Sequence, residues 1–436
     1  MKPMKEKTDG RAPPIPSVES RLRALAVRLR GGTWLDALEA LRAGAGDVFR
    51  LEMPGFRAVV AAGPASIRAA LVEAVSSLRS RVDPDPVVRL FRTGILVMDG
   101  AEHAALRRIA APFFRPAALE RFAPTIVRAA DRQIEAWADG AQVEIVEAMR
   151  TLALEVLLEA LFGIPGPTEA PRLLPLLRAA QAYISPGPWL LHPALSRPGL
   201  KGPLQELEQV LRDHIRERRA CPMGGTLLDA WIEAFGGDEE RVRDQMLTML
   251  IAGHDTVAAW LAWTMILLAA HPEVQERARA AVDARLGWGT PSPEALRGLE
   301  ELEGIGWEAL RLYPPIPVLN RRATASCTLE GWTIPAGVRV MVSLYTLHRH
   351  PGLWAEPHAF RPERFRGEGM GPRFLPFGAG PHTCIGAPLA RLEWKLAVAR
   401  MLQRAAFEPA FSTPRPRMGA TLEPAPGLLV RIRRRW

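Results

Sequence analysis

Cysteine is scarce in this chain: its 436 residues include only Cys221, Cys327 and Cys384. So few, and an odd number, exclude the disulfide framework of small secreted domains and point to a reducing compartment. Lysine is nearly as rare, confined to Lys2, Lys5, Lys7, Lys201 and Lys395, so the formal net charge of +9 is carried by arginine. No arginine run is interleaved with aromatics on a reading helix, so nucleic acid is not expected as a partner; the basic surface suits an acidic protein. Repeats and low-complexity tracts are missing as well, which excludes solenoids and fibres. The strongest apolar run, Val257 to Ala270, has fourteen residues between Gly253-His254-Asp255 and His271-Pro272. That is too short to span a bilayer and reads as a buried core helix. The N-terminal MKPMKEKTDGRAPPIP lacks the apolar core of a signal peptide or anchor, so a cytoplasmic location is expected.

What remains is a globular chain, 48% hydrophobic and 24% charged, able to bury a large core. Periodicity predicts helices over Val18 to Arg42, Ala101 to Phe114, Ala118 to Ala138, Val146 to Phe162, Leu204 to Arg219, Thr226 to Ala234, Glu239 to Ala270, Pro272 to Leu286, Glu301 to Tyr313 and Ile385 to Ala406. A hairpin is expected around Met53-Pro54-Gly55, a long loop over Asp83 to Met98, and a proline-rich apolar zone over Ser185 to Pro203. Short strands are expected at Arg322 to Thr328, Trp332 to Ile334 and Arg339 to Ser343, with a closing hairpin over Thr421 to Arg433. The fold class is therefore mainly α, a single large helical domain with a small β-rich subdomain.

One cysteine stands apart. Phe374-Leu-Pro-Phe-Gly-Ala-Gly-Pro-His-Thr-Cys-Ile-Gly386 places Cys384 at the end of a glycine-rich loop and just ahead of a long helix. The glycines permit close backbone approach, and the unpaired N–H groups of a helix start stabilise a thiolate, which suits a soft metal. Phe377, Gly380, Cys384 and Gly386 together resemble the cysteine-loop signature of the cytochrome P450 family. That resemblance implies the cytochrome P450 fold, a leader and first helix over 1–45, a haem domain over 46–436, and Cys384 as the thiolate ligand of a haem b iron.

Other residues extend the likeness. Glu308 and Arg311 lie three apart on a helix, able to pair on one face; with Arg364 of Phe360-Arg-Pro-Glu-Arg-Phe365 they resemble the family's Glu-Arg-Arg network. His103 and Arg107, four apart, together with Arg321 and His382, resemble the clamp on the haem propionates; Arg322 is adjacent to Arg321, which leaves the register open. Ala252-Gly253-His254-Asp255-Thr256 interrupts the apolar helix with polar groups that are costly to bury unpaired. On physical grounds the threonine hydroxyl bonds back to the preceding turn and Gly253 makes room for a kink. The resemblance adds that Asp255 and Thr256 are the acid-alcohol pair delivering protons to dioxygen, beside an oxygen groove formed by Ala252 and Gly253.

The implied activity is a monooxygenase that inserts one atom of O2 into a hydrophobic small molecule of terpenoid, steroid, fatty acyl or polyketide class. No flavin, nucleotide or cluster-binding motif is present, so electrons must come from outside the chain; the resemblance implies NAD(P)H acting through a ferredoxin or flavodoxin and its reductase, an acidic carrier that Arg107, Arg108, Arg115, Arg391 and Lys395 would suit. By the same likeness the pocket is lined, mainly by apolar residues, from Arg89 to Val97, Tyr183 to Leu195, Leu250 to Thr256, Ile316 to Leu319 and Met418 to Ala420, with Trp189-Leu190-Leu191 as a lid or a weak membrane contact within 185–203. His382, where membrane-bound members more often carry arginine, points to the soluble bacterial type, whereas Leu-Tyr-Pro-Pro and Phe-Arg-Pro-Glu-Arg-Phe resemble eukaryotic members. A haem sensor or carrier, and a peroxygenase or isomerase that needs no external electrons, are the alternatives; retention of Asp255 and Thr256 speaks against them.

Overall fold

The structure is a computed structural model that describes residues 11–53, 55–83, 85–187, 199–367 and 371–435. The expected lid at Trp189-Leu190-Leu191, like Pro54 of the first turn, lies outside the described residues. The central element is the helix Glu239–Ala270, which Asp238 caps and His271-Pro272 ends. It is long and apolar enough to cross a membrane, but it is buried in the molecule. It carries the main core: Trp260, Leu261, Trp263 and Ile266 pack with Val156, Ile305, Ala397 and Leu402. Burial on all sides explains why this helix shows no amphipathic stripe.

A five-stranded sheet flanks the helices in the order Val48–Met53, Phe56–Ala61, Arg339–Ser343, Val318–Ala323, Leu78–Arg79. Only the pairing of Phe56–Ala61 with Arg339–Ser343 is parallel. Helices Val18–Leu29 and Trp34–Ala45 pack on it through Ala24, Leu38 and Leu41 against Phe49 and Val60.

Several expectations are corrected. The first helix is two, because Gly31 adopts φ +88° and Thr33 with Asp36 forms a capping box that starts the second. The expected loop at Asp83 to Met98 contains a helix, Pro86–Phe91, opened by a proline at its first position. A helix not expected at all runs over Gly166–Ile184 despite Pro171 and Pro175 in its interior. The C-terminal hairpin is replaced by three pairings: Leu422–Pro424 with Pro416–Met418, and Leu429–Arg434 with Ala405–Pro409 on one side and Gln142–Glu144 on the other. The expected strand Arg322 to Thr328 divides into Val318–Ala323 and Cys327–Leu329.

Candidate active site

The cysteine loop is set by backbone geometry. Gly380 has φ +70°, and a Cβ there would lie 2.1 Å from the Leu71 carbonyl oxygen, so only glycine fits without displacing the chain. The Cys384 N–H donates to the Phe377 carbonyl at 2.9 Å, closing the loop. Helix Ala387–Arg404 starts three residues beyond the cysteine. Burial pushes the Cys384 thiol up, opposed by backbone N–H donation from Gly386 and Ala387 and by the positive charge of Arg107. The residue is thus surrounded by protein, yet it remains solvent-accessible, which describes a sulfur deep in the fold and uncovered on one side.

Around it sits a cluster of bases and cations. The His103 and His382 rings stack with centroids 4.0 Å apart. His382 Nε2 lies 3.3 Å from Asp99 Oδ1, and Asp99 also accepts from the backbone N–H groups of Ser80 and Arg81 at 2.9 and 3.1 Å. Burial alone would raise the Asp99 carboxyl; His382 and the two amides outweigh it and hold it at about 2. Burial first, then His382 and Arg107, bring the His103 imidazole down to about 4, so it is neutral at pH 7. Arg107 Nη1 donates to the Thr383 carbonyl at 2.7 Å, tying its helix Gly100–Ala110 to the cysteine loop. Arg321 is buried, whereas the exposed Arg322 donates outward to the Asp83 carbonyl.

Arg321 donates to the Asn320 carbonyl, and among the described residues no carboxylate forms an ion pair with it. A buried guanidinium without an anion is costly. The donor set therefore fits a haem: one uncovered thiol with amide donors behind it, and beside it cations and imidazoles suited to two carboxylates.

On the central helix, Thr256 Oγ1 donates to the Ala252 carbonyl at 2.7 Å. The helix is nevertheless continuous over its whole length, and Gly253 has a different explanation: a Cβ there would meet Leu157 at 2.8 Å, so the glycine admits helix Ile145–Leu157. Buried Asp255 accepts from Arg150 Nε at 3.2 Å and from Thr421 Oγ1 at 2.7 Å. Arg150 also pairs with Glu423 and Glu147. Burial raises the Glu423 carboxyl, opposed by Arg150, while Asp255 raises it further. His254 points the other way, towards Leu250 and Gln181, and burial depresses its pKa. A cavity of about 310 Å³ opens here, lined by Glu147, Arg178, Asp255, Arg417, Thr421 and Glu423. The lining of this cavity is mainly charged and polar. Asp99, Arg150, Thr421 and Glu423 were not singled out in the sequence, because none belongs to a local motif.

Glu308 and Arg311 are fully buried and paired through two hydrogen bonds, at 2.6 and 2.7 Å. Arg364 Nε and the Arg361 N–H also donate to Glu308, at 3.3 and 2.8 Å. Arg311 continues to the carbonyls of His348, Pro357 and Ala359. His348 Nε2 in turn accepts from the Leu375 N–H at 3.0 Å, so the network reaches the start of the cysteine loop through one imidazole.

Comparison with known proteins gives the same result. The Cytochrome P450 family model matches residues 13–431. The chain is 32% identical over 386 residues to the cyclooctat-9-en-7-ol 5-monooxygenase of Streptomyces melanosporofaciens, with 84% of each chain covered. It is 37% identical over 270 residues to Cytochrome P450 97B2, chloroplastic, of Glycine max, covering 53% of this chain and 46% of that one. The crystal structure of the cytochrome P450DA heme domain superposes with a TM-score of 0.83 at 26% identity, covering 98% of this chain and 97% of that one. Fold and site together define a mainly helical protein with a glycine-rich cysteine loop ahead of a long helix. The chain belongs to the cytochrome P450 family, whose members use haem and O2 as monooxygenases and draw on hydrophobic substrates and redox partner proteins.

Proposed function

We propose that the protein holds haem b through Cys384 Sγ, with His103, Arg107, Arg321 and His382 receiving the two carboxylates, and oxidises a hydrophobic small molecule. The haem, when bound, supplies reductive activation of O2. The observation that carries this reading is the Cys384 sulfur, uncovered yet backed by two amide donors. Those donors and Arg107 favour the thiolate that burial opposes.

Thr256 and Asp255 handle protons. Because the Thr256 hydroxyl donates back to Ala252, its lone pairs face away from that carbonyl, free to accept. Asp255 stands between the helix and the charged cavity, where Arg150 and Thr421 orient its carboxylate. Ala252 and Gly253 would border the oxygen site. Glu308, Arg311 and Arg364 keep the cysteine loop against the core through His348.

Electrons come from a separate ferredoxin or flavodoxin and its reductase, with NAD(P)H as the distant donor. The exposed Arg108, Arg115 and Arg391 suit an acidic carrier, whereas Lys395 is already paired with Glu303. The substrate is of terpenoid, steroid, fatty acyl or polyketide class; the terpenoid-related name of the Streptomyces relative, a cyclooctat-9-en-7-ol 5-monooxygenase, supports the first. The test is the absorption spectrum of the reduced, carbon monoxide-bound protein. A thiolate-type band that disappears in Cys384→Ala is expected; an imidazole-type spectrum, or a band that survives the substitution, overturns the assignment. If every member of an apolar compound library leaves the haem spin state unshifted, the substrate class is wrong.

A further inference from the structure

Behind the cysteine loop, three helices each contribute one indole to a single cluster. Trp260 comes from the central helix, Trp307 from helix Glu300–Leu312 and Trp394 from helix Ala387–Arg404. Trp260 and Trp394 stack face to face, with centroids 4.9 Å apart and planes 9° from parallel. Trp307 lies 6.0 Å from Trp260. Phe377, whose carbonyl receives the Cys384 N–H, is in edge contact with both Trp260 and Trp307 at 6.3 Å. The ring stack thus runs from the cysteine loop into the core. It also reaches outward, because all three indoles line a surface groove of about 270 Å³ beside Pro116, Pro388 and Leu392.

Simple core packing does not account for this arrangement. A Cβ on Gly306 would meet the Trp394 ring at 2.6 Å, so a glycine inside a helix, unfavourable for helix propensity, is required for the stack to form. Both N–H groups are fixed, Trp260 donating to the Gly306 carbonyl and Trp394 to the Thr264 hydroxyl, each at 2.9 Å. Guanidinium groups separate this pair from its neighbours. Arg391 lies over Trp307, and Arg349 lies over Tyr313, the stacking partner of Trp263. Among the described residues none lies over Trp260 or Trp394. A cation over a ring opposes removal of an electron from it, and face stacking spreads a positive charge, so the Trp260 and Trp394 pair is the most oxidisable part of the stack.

We propose that this pair is an electron relay that discharges an oxidised haem when no substrate consumes its oxidising power. The inference rests on a haem held at Cys384. The indole pair would lose one electron to a haem held at Cys384. The N–H protons stay in place, since a carbonyl and a hydroxyl are too weakly basic to take them, and the pair becomes a radical cation. A small one-electron reductant of the ascorbate class returns the electron at the groove.

The test treats haem-loaded, substrate-free protein with hydrogen peroxide and follows it by freeze-quench electron paramagnetic resonance and by mass mapping of oxidised peptides. A tryptophan radical quenched by ascorbate is expected, with oxidation products at Trp260 and Trp394. Trp260→Phe and Trp394→Phe should lose the radical and bleach their haem faster. Absence of a tryptophan radical, products located only elsewhere, or unchanged bleaching in both variants overturns the relay while leaving the thiolate band intact. If wild-type protein lacks that band, the haem assignment fails first and the relay with it. The peptide map of the wild type decides the matter even where a variant does not fold.

Discussion

Removing Glu308 strands a fully buried positive charge in the core. The carboxylate accepts four hydrogen bonds, two from Arg311, one from the Arg361 amide and one from Arg364. Its loss leaves a fully buried guanidinium with three carbonyl contacts and no anion. Burial already disfavours the charged form of Arg311, and Glu308 opposes that. Breaking a buried pair from one side costs about 3–5 kcal/mol, a fifth or more of a typical domain stability of about 5–15 kcal/mol. Glu308→Ala should therefore lower the urea midpoint sharply and release the cysteine loop, read as loss of haem from the purified protein. Arg311→Lys should fail in the same direction, because three donors on one nitrogen cannot replace five hydrogen bonds from a planar fork. The double variant Glu308→Leu with Arg311→Met removes both charges and should be less damaged than the sum of its parts. If the losses simply add, or if Glu308→Ala lowers the unfolding free energy by less than about 1 kcal/mol, the unpaired-charge argument is wrong.

Three further outcomes are expected. In haem-free protein the folded His103 takes a proton only near pH 4 while the unfolded chain does so near 6.5, so stability is complete above 6.5 and declines as pH falls towards 4; denaturation midpoints across that window should flatten in His103→Gln. Gly380→Ala forces a side chain into φ +70° and against the Leu71 carbonyl; left-handed strain alone costs about 1–3 kcal/mol, and haem content should fall before secondary structure does. Arg150→Met leaves Asp255 and Glu423 buried together without their shared cation; the Glu423 carboxyl should titrate higher still, and product formed per O2 consumed should drop while peroxide release rises, a ratio unchanged from wild type refuting the role.

Local signals explain which parts of this architecture were readable in advance. The central helix was located to the residue because its start and stop are chemical: an aspartate cap at one end and His271-Pro272 at the other. Gly166–Ile184 was missed because each interior proline costs about 3 kcal/mol of helix propensity. Tertiary burial of Ala170, Leu173, Leu174, Leu177 and Ala180 offsets that cost, and no local rule contains it. The C-terminal pairing failed for the same reason, since Leu429–Arg434 finds its partner in Ala405–Pro409 rather than in the strand beside it. In the site, the cysteine loop and the Glu308 and Arg311 pair are contiguous and were legible. The cation holding Asp255 was not, because Arg150 lies 105 positions away and becomes a neighbour only when helix Ile145–Leu157 packs against the central helix.

The single parallel pairing of the sheet has a consequence for biosynthesis. Phe56–Ala61 emerges early from the ribosome, but the strand that covers its free edge, Arg339–Ser343, is among the last quarter of the chain to be made. Throughout that interval the nascent hairpin presents an unsatisfied ladder with Val59 and Val60 upon it, a template for pairing with neighbouring polypeptides. Slow translation between these two segments should therefore raise the aggregated fraction, and chaperone capacity rather than final stability should limit the yield of active protein.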